Sequence, residues 1–189
     1  MSPALDEDLV QRVNDLGASP WSGTTYRHVA GSRDPLSGAG ARALGGRWNV
    51  PGFSAIYLAH PSAACMAELD RLAESQNVTA SDLLRATAGR TLHTIEVRAL
   101  EVLDLRKEAC RDQVGLDLAD IVDTDRTACQ AVGQAAHFLH FSGVLAPSAT
   151  GIGLVLTAFE SRLAAGQLTV ERSEPLTDVV YRGLSESAS

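Results

Sequence analysis

Leu5, Leu9, Val13 and Leu16 recur at three- and four-residue intervals, and Gly17 follows them. That spacing lines one face of a helix, and a glycine after its last turn ends it. The pattern therefore predicts a first helix over 5–16. Thr24–Val29 is short and β-prone, and Ala55–Ala59 is a continuous apolar run; both predict strands. Pro61 stands where a first helical turn tolerates it, and Cys65, Leu69 and Leu72 make the apolar stripe of a helix running to about Ser75. Glu68 lies one position off that stripe, at the edge of the buried face. Leu92–Val97 and Val102–Leu105 predict two more strands. Asp125 is placed to cap a helix whose Ala128, Val132, Ala135, Ala136 and Leu139 turn inward, with Gly143 as its end. Val144–Ala146, Gly153–Ala158 and Leu168–Arg172 read as strands and Thr177–Leu184 as a last short helix. Strands and helices mix without regular β-α-β alternation. The expected fold is α+β (mixed α/β): one domain over 1–189 with a central mixed sheet and flanking helices.

Composition narrows the class. The 189 residues are 45% hydrophobic and 21% charged, which fits a soluble globular chain of one domain. No apolar stretch approaches the roughly 18 residues that span a membrane. Asp6, Glu7 and Asp8 stand where a secretory signal needs basic residues and then an apolar run. Cys65, Cys110 and Cys129 are odd in number, widely spaced and match no zinc pattern; they suit a reducing cytoplasm. A net charge of −7 argues against direct, sequence-independent nucleic-acid binding.

Against that acidic background, one segment stands out. Gly31, Gly38, Gly40, Gly45, Gly46 and Gly52 fall between 31 and 52, and such a long loop is expected to carry function. Arg27, Arg33, Arg42 and Arg47 face a single acid there, Asp34. Guanidinium groups on a flexible backbone suit a phosphate or carboxylate ligand, although a solvated loop has the same composition. Arg47 is the best placed, since Gly45 and Gly46 let the main chain approach a ligand closely. Tyr26, Trp48, Phe53 and Tyr57 crowd the same region. Trp48 and Phe53 fit a small core, whereas Tyr57 fits a core and a stacking wall equally. Glu68 suits either an exposed helix position or a carboxylate that stabilises a developing oxocarbenium ion. His137 and His140 have helical metal spacing but no third ligand, and Asp117, Asp120, Asp123 and Asp125 lack the glycine and the closing glutamate of a calcium loop. Ser148 alone reads as a turn serine.

Taken in order, Tyr26-Arg27, Gly45-Gly46-Arg47-Trp48-Asn49, Ala55-Ile56-Tyr57-Leu58-Ala59, Glu68 and Pro147-Ser148-Ala149 resemble the RES domain, the toxin half of RES–Xre toxin–antitoxin pairs. The resemblance covers most of the chain. It implies a fold like that of ADP-ribosyltransferases, with a mixed sheet split around an NAD+ cleft. It implies an enzyme that depletes NAD+ by breaking the nicotinamide–ribose bond, with phosphate, water or a protein group as acceptor; phosphate, giving ADP-ribose-1''-phosphate, is the expected one here. NAD+ and phosphate are then substrates, and neither a metal nor a further cofactor is implied. Glu68 would stabilise the ribosyl cation, and Arg27 and Arg47 would hold anionic oxygens. Tyr57 would stack on nicotinamide or its ribose, Tyr26 would line the same wall, and Ser148 would orient a ribose or phosphate. A cognate Xre-type helix-turn-helix antitoxin is the implied partner, blocking the cleft in a hetero-oligomer. A mono-ADP-ribosyltransferase acting on a protein and a non-catalytic nucleotide-binding module are the competing readings.

Overall fold

The computed structural model describes residues 5–186. Its helices are α1 (Glu7–Leu16), α2 (Ala39–Leu44), α3 (Ser62–Ser75), α4 (Ala80–Arg85), α5 (Glu108–Val114), α6 (Leu118–Val122), α7 (Thr127–Phe138) and α8 (Asp178–Glu186). The strands are β1 (Ser19–Ala30), β2 (Ala55–His60), β3 (Arg90–Asp104), β4 (Gly143–Pro147), β5 (Leu154–Phe159) and β6 (Leu168–Pro175). Together they form the mixed sheet with flanking helices that the hydrophobic pattern predicts.

The sheet runs β1-β2-β5-β4-β3-β6, and β1 also pairs with β3. β3 is parallel to β4, while the other pairings are antiparallel. The strands β1, β2, β5, β4 and β3 thus close a ring. Its weakest link is β1 to β2, joined at the single register Tyr26 with Ala59. His60 Nδ1 supports that link by a 2.8 Å hydrogen bond with the Thr24 carbonyl.

Several predicted boundaries shift for identifiable reasons. The two strands expected at 92–97 and 102–105 are one. Buried positions fall on Ile95 and Val97, then on Leu100 and Val102, so the alternation changes phase between them. Ala99 absorbs the extra residue at φ +48, and its amide donates to Ser22 Oγ at 2.8 Å. β1 is longer than 24–29 because β3 pairs with it from Ser19 onward. The first helix starts at Glu7, where the Asp6 carboxylate accepts from the amides of Asp8 and Leu9. The glycine-rich segment is not all loop, since α2 lies within it. In α7, Cys129 takes the inward place expected of Ala128, which is exposed. Asp125 accepts from the Thr127 amide at 2.9 Å, one residue before the position Arg126 occupies as N-cap. Gly143 does not end α7 but opens β4; a Cβ there would lie 2.1 Å from the Thr157 carbonyl oxygen.

Three apolar clusters hold these elements. One joins Val13 of α1 and Val132 of α7 to Trp48, Leu103 and Phe159. A second gathers Ile56, Ile95, Leu145 and Leu156 from the strands. The third seats Cys65, Met66 and Leu69 of α3 on Ala59 and Leu92, with Leu176 beside them. The stripe read from the sequence therefore fixes α3 against the β1–β2 junction. No helix among the described residues is long and apolar enough to cross a membrane.

Candidate active site

The segment Gly45–Phe53 is tied down residue by residue. Asn49 is fully buried, and its amide nitrogen donates to the carbonyls of Ala41, Val50 and Phe53. The Tyr57 hydroxyl donates to Asn49 Oδ1 at 2.8 Å and accepts from the Trp48 amide at 2.9 Å. Gly46 has to be glycine, because a Cβ there would sit 2.2 Å from that hydroxyl. Trp48 is 1% exposed and belongs to the core, as its neighbours suggest. Phe53 is half-buried and stacks on His137 at 4.2 Å. No group of three His, Cys, Asp or Glu among the described residues is arranged to hold a metal ion.

A cleft of about 520 Å³ opens beside the β1–β2 junction. Tyr26, Arg27, Arg47, Tyr57 and Glu68 all line it. Ser148 reaches it through Glu68: its hydroxyl donates to Glu68 Oε1 at 2.9 Å, although 80 residues separate the two. With its one proton committed there, Ser148 Oγ accepts from the Thr150 hydroxyl at 2.8 Å and from the Thr150 amide at 3.1 Å. The carboxylate of α3 is thereby joined to the end of β4. A second hollow, about 740 Å³, lies near His137 and Arg162 and is lined by none of these residues.

The arginines are less free than their loop suggests. Arg47 donates to the Asp120 and Asp123 carbonyls at 3.3 and 2.7 Å, at the end of α6. Arg27 donates to the Pro35 and Ser37 carbonyls at 2.6 and 3.2 Å, pinning the start of the glycine-rich segment. Burial lowers the Arg27 pKa, and Asp34 partly offsets this. Tyr57 is also committed. Burial raises its phenol well above its ordinary value, so it stays protonated at neutral pH and offers its ring rather than a proton.

Four cleft residues escaped the sequence reading. His28 accepts from Arg90 Nε and Nη2 at 3.0 and 2.8 Å. Burial, followed by the Arg90 charge, lowers its pKa to about 3, so the imidazole is neutral. Cys65 lines the wall, but burial pushes its thiol up to about 12, which rules out a ready thiolate nucleophile. Arg71 on α3 and Arg126 at the start of α7 line the cleft as well. Single charged residues on helices carry no local signal that separates them from a solvated face.

A mixed-sheet domain with a carboxylate–serine pair in an arginine-walled cleft is thus the class of protein defined by fold and site. Residues 21–177 match the RES domain, and the chain belongs to that family. It is 51% identical over 185 residues to the NAD(+) phosphorylase MbcT of Mycobacterium tuberculosis and of Mycobacterium bovis, an alignment covering 97% of this chain and 98% of each relative. It is 33% identical over 127 residues to a probable NAD(+) phosphorylase of Mycobacterium tuberculosis, covering 66% of this chain and 58% of that protein. Its structure is similar to a chain of the crystal structure of the M. tuberculosis MbcT–MbcA toxin–antitoxin complex, with a TM-score of 0.91 and 50% identity, over 97% of this chain and all of that one.

Proposed function

We propose that this chain is an NAD+ phosphorylase and the toxin half of a toxin–antitoxin pair, acting in the cytoplasm as one catalytic domain. The observation that carries the reading is the hydrogen bond between Glu68 and Ser148 in an arginine-lined cleft. Its near-full-length similarity to MbcT supports the same reaction. In that reaction a phosphate oxygen bonds to the anomeric carbon of the nicotinamide ribose. The carbon–nitrogen bond breaks, and its electron pair leaves with nicotinamide, which becomes neutral. The proton carried by the phosphate stays on the ester or passes to water.

Nicotinamide is a cationic leaving group, so no strong acid is needed, and positioning and charge carry the rate. Glu68, held by Ser148, stabilises the positive charge that develops on the ribose. Arg27 and Arg47 add fixed positive charge toward the pyrophosphate while their forks hold main chain. The ring of Tyr57, fixed through Asn49, is a flat wall for nicotinamide or its ribose, and Tyr26 extends that wall. Ser148 acts on the ribose through Glu68. An Xre-type antitoxin that covers the cleft is the expected partner.

The test is incubation of purified protein with NAD+, with and without millimolar phosphate, and identification of products by mass. Nicotinamide and phosphorylated ADP-ribose, formed faster with phosphate, are expected. Glu68→Gln is expected to slow their formation by at least about 100-fold with the fold intact, since it removes a charge that acts on the transition state. Plain ADP-ribose at a phosphate-independent rate would make the chain a hydrolase. ADP-ribose attached to protein would make it a mono-ADP-ribosyltransferase.

A further inference from the structure

The reaction asks one cleft to hold two anionic groups, the pyrophosphate of NAD+ and a free phosphate. Arg27 and Arg47 each spend one N–H of both terminal nitrogens on main-chain carbonyls, so part of each fork is committed before a ligand arrives. Arg71 and Arg126 line the same cleft, and neither guanidinium has a hydrogen-bond or ion-pair partner among the described residues. An unpaired guanidinium lining a cleft has its N–H fork free for an oxyanion, and this cleft has two of them.

Placement favours the free phosphate over the pyrophosphate. The acceptor has to lie within about 3.5 Å of the anomeric carbon when the bond forms. Glu68 marks that carbon in the reading above, and Arg71 leaves α3 three residues later, so the two side chains share a helix face. A phosphate next to Glu68 would otherwise meet a carboxylate of like charge, which Arg71 offsets. Arg126 enters from the N-terminal end of α7 and lines the same cleft as Tyr57 and Glu68.

We propose that Arg71 and Arg126 together form the acceptor-phosphate site and set the preference for phosphate over water. This rests on the phosphorylase reading. Water needs no cation to hold it. Loss of the pair therefore weakens phosphate while leaving a route to plain ADP-ribose.

The experiment measures initial rates for wild type, Arg71→Ala, Arg126→Ala and the double variant. Phosphate is varied at saturating NAD+, and NAD+ at saturating phosphate. Each single variant is expected to raise the KM for phosphate at least about tenfold, the scale of one charge-assisted hydrogen bond. The KM for NAD+ is expected to move less than about threefold, and the product shifts from phosphorylated to plain ADP-ribose. Arg→Lys variants restore charge without the fork and should recover part of the phosphate affinity. In the absence of NAD+, inorganic phosphate should raise the melting temperature of wild type and not of the double variant, a readout indifferent to catalysis. If the KM for NAD+ rises in step with that for phosphate, the pair holds pyrophosphate and the proposal fails. If neither KM moves, the side chains are idle and it fails as well. A wild type whose rate ignores phosphate overturns the phosphorylase reading itself, a result that needs no variant.

Discussion

Glu68 and His28 show how differently one cleft treats two titratable side chains. Glu68 is half-buried, keeps a serine hydroxyl as donor, and stays open to the cleft. His28 is held neutral by burial and by the adjacent Arg90. Its pKa drops from 6.5 in an unfolded chain to about 3 in the folded one. Between those values the unfolded chain binds a proton that the folded chain does not, so stability is lost as pH falls from 6.5 toward 3. The slope from this one group approaches about 1.4 kcal/mol per pH unit. Burial also depresses His93 and His137, with the same sign. His28→Gln keeps an acceptor for Arg90 but does not titrate. Urea unfolding at pH 7 and pH 4 should show the variant losing about 2–3 kcal/mol less than wild type across that interval. Equal losses in the two proteins would mean that His28 is protonated in the fold.

At the scale of elements, the segment Gly45–Phe53 is shaped by what presses on it from behind. α7 crosses the back of Trp48 so closely that a Cβ at Gly133 would lie 1.9 Å from the Trp48 carbonyl oxygen. Both sides of that contact are main chain, so neither can turn away. Gly133→Ala is expected to cost about 3 kcal/mol or more and to displace the segment that carries Arg47. Gly40→Ala in α2 meets nothing within 4 Å and replaces a flexible residue in a helix. It should leave stability unchanged or raise it by about 0.5–1 kcal/mol. Denaturation midpoints of the two variants check this, and similar values would show that α7 and the loop are not in close contact. The same scale decides what the sequence discloses. α1, α3 and α7 are 10, 14 and 12 residues long, enough for a stripe such as Cys65–Leu69 to repeat, and their apolar spacing is legible. α2, α4, α5 and α6 have five to seven residues, too few for any period to stand out. β3 reads as two strands because the bulge at Ala99 reverses which parity faces inward. Arg27, Arg47 and Glu68 can be picked out by residue type and motif. That Ser148 donates to Glu68, and that the Tyr57 hydroxyl belongs to Asn49 and Trp48, depends on how the ring closes, which no local pattern records.

For the molecule as a whole, the distribution of charge matters more than its sum. The chain carries 23 acidic and 16 basic groups. Arg27, Arg47, Arg71 and Arg126 are gathered around one cleft, which leaves the rest of the surface more acidic than the net charge of −7 suggests. A small anion such as phosphate or NAD+ can leave those repulsive surroundings by entering the cleft, where guanidinium groups and restricted solvent strengthen its contacts. A rigid duplex cannot. Its phosphates are spread over a cylinder too wide for a cavity of about 520 Å³, so it meets the acidic exterior, and contacts to its backbone need a basic face. The chain by itself is therefore expected to give no anisotropy change with a fluorescent 30-base-pair duplex in 50 mM salt at protein concentrations up to about 100 μM, where non-specific binders are normally detected. Any DNA binding by a toxin–antitoxin complex would then come from the partner. Salt-sensitive binding by the isolated chain would place a basic surface outside the cleft and break the link drawn here between its arginines and small anions.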